Sequence, residues 1–165
     1  MVFTLLSIYF GAYLPFKKAQ RYISFVSSLR NAKTLDQFKS WSTDLLDFRS
    51  PTGQEEIVRF LSHDIVNMLR NVNQQEQISR ELVLLIEPRI YKKNVRHLLT
   101  MAESYSILWN RYRGEEDFLK AESYLIEALE IGPDLPPALY PLFDLYRLHG
   151  YWQKYFYYTP FAEDI

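Results

Sequence analysis

The sequence predicts an all-α fold, with antiparallel helical hairpins stacked as a short solenoid. Three observations lead there. Apolar residues recur at helical spacing through most of the chain. With only 5 glycines and few alternating β-branched runs, little favours a sheet. The stretch 121–133 also carries a stripe of small residues: Ala121, Leu125, Ala128 and Leu129 share one helical face, flanked by Tyr124 and Ile131. Small side chains let a neighbouring helix come close where larger ones would overpack the contact. Gly132 follows the last periodic residue, where a left-handed cap is expected, and Pro133 prevents continuation.

The elements follow in order. Val2–Phe16 is apolar and uncharged. It falls short of the roughly 20 residues a spanning helix needs, and no positive region precedes it as in a signal peptide. Lys17, Lys18 and Arg21 follow at once, as at the cytoplasmic end of a spanning helix. The segment therefore reads as the back end of a transmembrane helix whose front lies upstream of Met1. The alternative is a helix buried in the domain's own core. Lys17–Ala32 is amphipathic, with Ala19, Tyr22, Ile23, Val26 and Leu29 on one face. Thr34-Leu35-Asp36-Gln37 is a capping box, opening a helix whose inner face is Leu35, Phe38, Trp41, Leu45 and Phe48. Thr52-Gly53-Gln54-Glu55 offers a second box before Ile57, Val58, Leu61, Ile65, Met68 and Leu69. Ile78, Leu82, Leu85 and Ile86 form another helix, stopped near Pro88. Tyr91, Val95, Leu98, Ala102, Tyr105, Trp109 and Tyr112 suggest one long helix up to Arg113-Gly114. After the small-residue stretch, Pro136-Pro137 opens the last helix, and the aromatic run 151–158 ends the folded part.

Composition limits function. A chain of 165 residues can bury one substantial core or one short array. Its 48% hydrophobic and 16% aromatic content argue against disorder. The net charge of -1 hides an uneven layout. Before Asp36 every charge is basic (Lys17, Lys18, Arg21, Arg30, Lys33), whereas acids dominate from Glu115 onward. A basic front suits an anionic surface near the N-terminus. It is not the basic stripe with interleaved aromatics that nucleic acid requires, so no nucleic-acid partner is expected. With 0 cysteines, disulfides and cysteine metal sites are excluded.

No catalytic, cofactor-binding or metal residue is assigned, and no small-molecule substrate is evident. The histidines, His63, His97 and His149, lie far apart and read as solvated or helix-end residues. Glu55 and Glu56 suit a helix start better than acid–base work. Gly53 stands alone, so there is no phosphate-cradling glycine loop. Arg111-Tyr112-Arg113 reads as a solvated helix end. What remains is surface. A helical array presents a concave groove lined by first-helix side chains, here Tyr105, Trp109, Tyr112 and Tyr146, for a protein or peptide partner. The same aromatics also fit a core.

Ala121, Ala128 and Pro133 sit at the spacing of the second helix of a tetratricopeptide repeat, which the sequence resembles here. Leu139, Leu142 and Tyr146 continue in phase, with Gly150 and Trp152 at the turn; Phe143 and Tyr155 depart from the pattern. Upstream, Leu98, Met101, Ala102 and Tyr105 match a first helix, but Tyr105 lies about two turns too far from Ala121. The best match is 98–158, within a helical-repeat domain at 17–165 that follows the apolar helix 1–16. The apolar run, Lys17-Lys18, Asn31-Ala32-Lys33-Thr34-Leu35, Ser50-Pro51-Thr52-Gly53-Gln54-Glu55-Glu56 and Ala128-Leu129-Glu130-Ile131-Gly132-Pro133 occur in one order. That order resembles the C-terminal part of bacterial O-antigen ligase or polymerase-like membrane proteins. The resemblance implies a non-catalytic scaffold tail on the cytoplasmic face of the bacterial inner membrane, in cell-surface polysaccharide assembly. The glycan-transfer region of such proteins has no counterpart here. A stand-alone repeat adaptor, or an enzyme of another helical class, remains the alternative.

Overall fold

The computed structural model of the chain describes residues 2–29, 34–151 and 153. The fold is all-α: among the described residues every regular element is a helix and none is a strand. The chain divides into two compact units, Met1–Leu61 and Ser62–Ile165.

In the first unit, α1 (Val2–Ile8), a π turn (Tyr9–Tyr13) and α2 (Leu14–Leu29) run on without interruption. The π turn is marked by the Leu14 N–H, which donates to the carbonyl of Tyr9, five residues back. α2 then packs antiparallel on α3 (Leu35–Asp47): Phe25 meets Phe38 at 6.0 Å, and Arg21 meets Asp44 four residues earlier on α2. Thr34 opens α3 as expected, its hydroxyl accepting the Gln37 N–H at 3.3 Å. The interior comprises Phe25, Phe38, Leu45 and Leu46, joined by Ile57, Val58 and Leu61 from the start of α4 (Gln54–Leu69). Trp41 and Phe48 of the expected inner face are only half-buried. α4 starts just after Gly53, which takes φ +83 and whose carbonyl accepts the Ile57 N–H. The helix thus begins one residue later than the Thr52 capping box requires.

Two expectations about this region are corrected. Lys18 is not part of a solvated basic flank: it is buried, and its ammonium donates to the Phe48 carbonyl at 2.8 Å and to the Gln54 side chain. Adjacent helical residues point about 100° apart, so Lys17 faces solvent while Lys18 turns inward to cap the end of α3. Burial lowers the Lys18 pKa. The stripe of Ala19, Ile23 and Val26 faces outward, as do all residues from Phe3 to Tyr13. The first helix is therefore not covered by a core of this unit. Among the described residues no helix is long and apolar enough to cross a membrane.

The second unit holds the rest of α4, then α5 (Glu76–Ile86), a 3₁₀ turn (Glu87–Arg89), α6 (Val95–Tyr112), α7 (Glu115–Ile131) and α8 (Pro136–His149). The long helix expected from Tyr91 begins instead at Val95, because Asn94 caps it by accepting the Arg96 N–H at 2.9 Å. α6 and α7 are antiparallel: Trp109 meets Phe118, and Tyr105, one turn earlier, meets Tyr124, later on α7. Ala121 and Ala128 are fully buried along the seam, with Leu125 between them. α8 packs on α7 and also reaches α6, where the His149 ring stacks on Trp109 at 5.7 Å. Leu139, Leu142 and Tyr146 are interior, and Phe143 is also buried. The surplus length between Tyr105 and Ala121 lies in helix rather than loop, since only Arg113 and Gly114 separate α6 from α7.

The left-handed cap expected at Gly132 is absent. Gly132 takes φ −142 and ψ 93, and its N–H donates to Ala128. Left-handed backbone occurs instead at Gly53, Arg113 and Gly150. At Gly150 (φ +85) the Tyr151 N–H closes the turn onto the Tyr146 carbonyl at 2.9 Å, the pattern of a glycine-capped helix end. Of the run 151–158, only Tyr151 and Gln153 lie within the described residues, and the tail 159–165 lies outside them.

The two glycines should therefore differ in their response to alanine. Gly132→Ala adds a Cβ that meets Leu135 at an ordinary 3.6 Å, so the thermal midpoint should stay within about 1 °C of the parent. Gly150→Ala forces an L-residue into the left-handed region at a cost of about 1 kcal/mol, or roughly 2–4 °C. Thermal melts followed by helical circular dichroism test both.

Candidate functional site

The most connected polar cluster of the second unit centres on Glu87, which the 3₁₀ turn after α5 presents to α6 and α7. Its carboxylate accepts from Tyr105 Oη (2.7 Å), Tyr124 Oη (2.9 Å) and Lys120 Nζ (3.0 Å). Lys120 also donates to Tyr105 Oη at 2.8 Å, and the two tyrosine rings stack 6.0 Å apart. Burial alone would raise the Glu87 carboxyl. The hydrogen bonds from Tyr105, Lys120 and Tyr124, with the Lys120 charge, outweigh that and hold it below the ordinary value. Burial and the carboxylate push both tyrosine hydroxyls well above theirs. These three groups thus keep their protons, or their charge, across the neutral range. That suits a clamp between helices better than proton transfer.

A second cluster lies alongside. Arg80 on α5 makes a two-pronged pair with the buried Asp117 of α7 (2.9 and 3.0 Å) and a further bond to Glu76 (2.9 Å). Its guanidinium pKa is raised, first by the hydrogen bond to Asp117. Gly114 makes room for this pair: a Cβ there would meet Asp117 Oδ2 at 2.7 Å. Between the clusters lies a small cleft of about 230 Å³, walled by Val83, Leu84 and Leu108 with Arg80, Glu116 and Lys120 at its edges. Its shape and lining reach no further than the two ion pairs.

The four aromatics expected to line a partner groove lie elsewhere. Tyr105, Trp109 and Tyr146 are core residues, each less than a twentieth exposed. Tyr105 holds Glu87; Tyr146 donates to Glu122 at 2.8 Å; Trp109 packs between Phe118 and His149. Tyr112 is half-buried, its hydroxyl bonded to the Gln74 carbonyl (3.0 Å) and to Ser79 (3.2 Å). With Tyr105, Trp109 and Tyr146 interior and Tyr112 half-buried, these four form no open groove wall.

Two of the histidines lie as expected, His63 solvated and His149 at the end of α8, whereas His97 is buried. His63 is exposed on α4. His97 is buried, its Nδ1 accepting the Tyr91 N–H at 3.2 Å under an edge-on Tyr91 ring. His149 lies against Phe118 and Tyr151 and contacts Glu115 at 3.0 Å. Among the described residues no group of three or more His, Asp or Glu is placed to hold a metal ion. Arg111 is not a solvated end: its guanidinium donates to the Leu69 carbonyl at 2.7 Å.

The first unit holds a larger cleft, of about 630 Å³, between the π turn with α2 on one side and α3 on the other. Tyr9, Tyr13, Phe25, Trp41 and Phe48 give it aromatic walls, and Lys17, Arg21 and Asp44 its charges. Sequence reasoning missed it because its walls come from α2 and α3, which only their antiparallel packing brings together. Comparisons with protein-family models, curated proteins and solved structures return no match to this chain.

The Glu87 clamp has a testable pH signature. Because its folded-state pKa is lowered, its contribution is fully present above the unfolded value near 4.5 and is lost as pH falls through the lower folded value. Glu87→Gln should flatten the fall in thermal midpoint between about pH 5 and pH 3. Glu87→Ala, which strips three donors of their acceptor, should cost about 2 kcal/mol at pH 7. Melts across that pH range check both, and parallel acid limbs for parent and Gln variant would remove Glu87 as the cause.

Proposed function

We propose that this chain is a non-catalytic helical interaction domain attached to a membrane surface through its N-terminal helix. The observation that carries the reading is the apolar segment Phe3–Phe16. Phe3 is 86% exposed, Phe10 49% and Phe16 59%, with Leu5, Leu6 and Ile8 comparably open. A helix that is apolar all round belongs in lipid or in a large core, and its own unit supplies no such core. The order of residues also follows a lipid depth profile. Phe3–Ile8 come first, the Tyr9 and Tyr13 rings follow, and Lys17 lies one turn beyond. At 1.5 Å per residue, the twelve residues 2–13 reach roughly 18 Å, enough to enter one leaflet.

The second unit is read as a short tetratricopeptide-repeat-like array offering its outer helix faces to a protein partner. The antiparallel α6–α7 pair, the Ala121–Ala128 seam and the contact of α8 with both helices support this. Placement on the cytoplasmic face of a bacterial inner membrane, as the tail of an O-antigen assembly protein, rests on the sequence resemblance alone. The competing reading, a repeat adaptor whose apolar helix is covered by protein, makes a different prediction about lipid.

Sedimentation of the full chain with phosphatidylcholine–phosphatidylglycerol vesicles separates the two. The parent should pellet with vesicles, and the double variant Leu6→Glu, Phe10→Glu should stay in the supernatant with unchanged helicity. Both substituted positions are open to solvent, so the variant keeps its core. A folded parent that ignores vesicles would overturn the membrane reading in favour of the adaptor.

A further inference from the structure

We propose that the cleft between the π turn, α2 and α3 is a binding site for one anionic phospholipid, its phosphate on Lys17 and its chain along the aromatic walls. The inference rests on the membrane reading above and names the lipid class that the helix base selects. The cleft's volume, about 630 Å³, falls in the range of small-ligand sites. Its walls supply the apolar part. Tyr9 and Tyr13 stack at 5.5 Å and 20° on the π turn, and Leu14, Phe25, Trp41, Leu45 and Phe48 complete the surface.

The charges supply the selectivity. Arg21 is committed: its guanidinium bonds both Asp44 oxygens at 2.9 Å and lies 4.5 Å from the Phe48 ring centroid. Lys17 is exposed at the cleft's rim, 5.9 Å from the Tyr13 ring centroid, with no carboxylate within ion-pair distance among the described residues. Lys17, Arg21 and Asp44 therefore leave the cleft one net positive charge, which a single phosphodiester would neutralise. A cationic headgroup would find Asp44 already occupied by Arg21. Gln20 and Ser24 on α2 line the cleft near Lys17 and can donate to further headgroup oxygens. Because Tyr9 and Tyr13 follow Phe3–Ile8 and precede Lys17, the proposed seating puts the cleft at the depth where lipid headgroups are found. The π turn widens the helix at this point, a distortion often found at binding sites.

The test uses the full chain and two probes: monomeric short-chain phosphatidylglycerol or phosphatidylcholine below the micelle threshold, and vesicles of either lipid. Calorimetry should show the parent binding short-chain phosphatidylglycerol at least fivefold more tightly than the choline lipid. Lys17→Gln should abolish that preference, and Lys17→Arg should restore it. Ser24→Phe fills the cleft without changing charge and should also abolish it, whereas Lys93→Gln, on the second unit, should leave it intact. A preference that survives Ser24→Phe but not Lys17→Gln would overturn the site in favour of diffuse surface charge. Equal affinity for the two short-chain lipids, or matching competition by inorganic phosphate alone, would also overturn it. Vesicle binding that lacks any Lys17 dependence defeats this inference only; a chain that ignores every vesicle defeats the membrane reading as well.

Discussion

The second unit depends on how closely α7 can be approached. Ala121 and Ala128 have no accessible surface, and on either side of them α6 and α8 settle against one helix. Once helices are that close, larger side chains must interlock beside the seam. Trp109, Phe118, Tyr146 and His149 do so as a run of ring contacts between 4.1 and 6.5 Å. A bulky residue at Ala128 would push a neighbour outward and cost about 1–3 kcal/mol in overpacking. It would also strain the Tyr146–Glu122 hydrogen bond, which spans α7 and α8 at 2.8 Å. Small residues at the centre are thus what permits large ones at the edges.

Close packing buries polar groups as well, and several in this unit are answered by specific partners. The Glu87 carboxylate has three donors, Asp117 has a two-pronged arginine, and the Leu69 carbonyl takes Arg111. Ion pairs of this partly exposed kind add little net stability. Removing one member is costly, however, because its partner is left desolvated. Their effect is to fix register: Glu87 can meet Tyr105, Lys120 and Tyr124 together only when α6 and α7 stand in one alignment. The pKa shifts point the same way, since each moves a group's titration away from neutrality.

What could be read from the chain beforehand followed from local spacing. Ala121, Leu125 and Ala128 announced a seam because seven-residue spacing keeps them on one face, and Thr34 announced a helix start by its own side-chain chemistry. Features set by distant partners stayed hidden. Lys18 beside Lys17 reads as a solvated pair until the Phe48 carbonyl arrives from thirty residues away. Nothing near His97 shows that it will be buried. Tyr105 was a groove candidate for the same reason that it is core: it lies on the stripe facing α7, and only the position of Glu87 decides what its hydroxyl meets. Gly132 misled because glycine before proline commonly caps a helix. Here the extended backbone already satisfies Ala128, while the left-handed glycine cap is found at the end of a different helix, at Gly150 of α8.

The first unit poses the opposite problem. Its N-terminal helix leaves Phe3, Leu5, Leu6, Ile8, Phe10 and Phe16 each about half exposed or more. Covering such side chains is worth about 1.5–3 kcal/mol apiece when complete. Partial cover of six therefore amounts to roughly 5–10 kcal/mol, comparable with the entire stability of a small domain. Scattered apolar residues on a surface need no explanation, but a contiguous segment of this size does. Whatever covers it must be apolar on all sides of the helix, which a groove on one protein face is not. Lipid meets that condition, and in the proposed seating the Tyr9–Tyr13 stack followed by Lys17 would place the aromatic and cationic groups at the water boundary. A helix seated as proposed would hold the mouth of the α2–α3 cleft among headgroups, where the Lys17 ammonium, without a carboxylate partner among the described residues, would favour an anionic lipid.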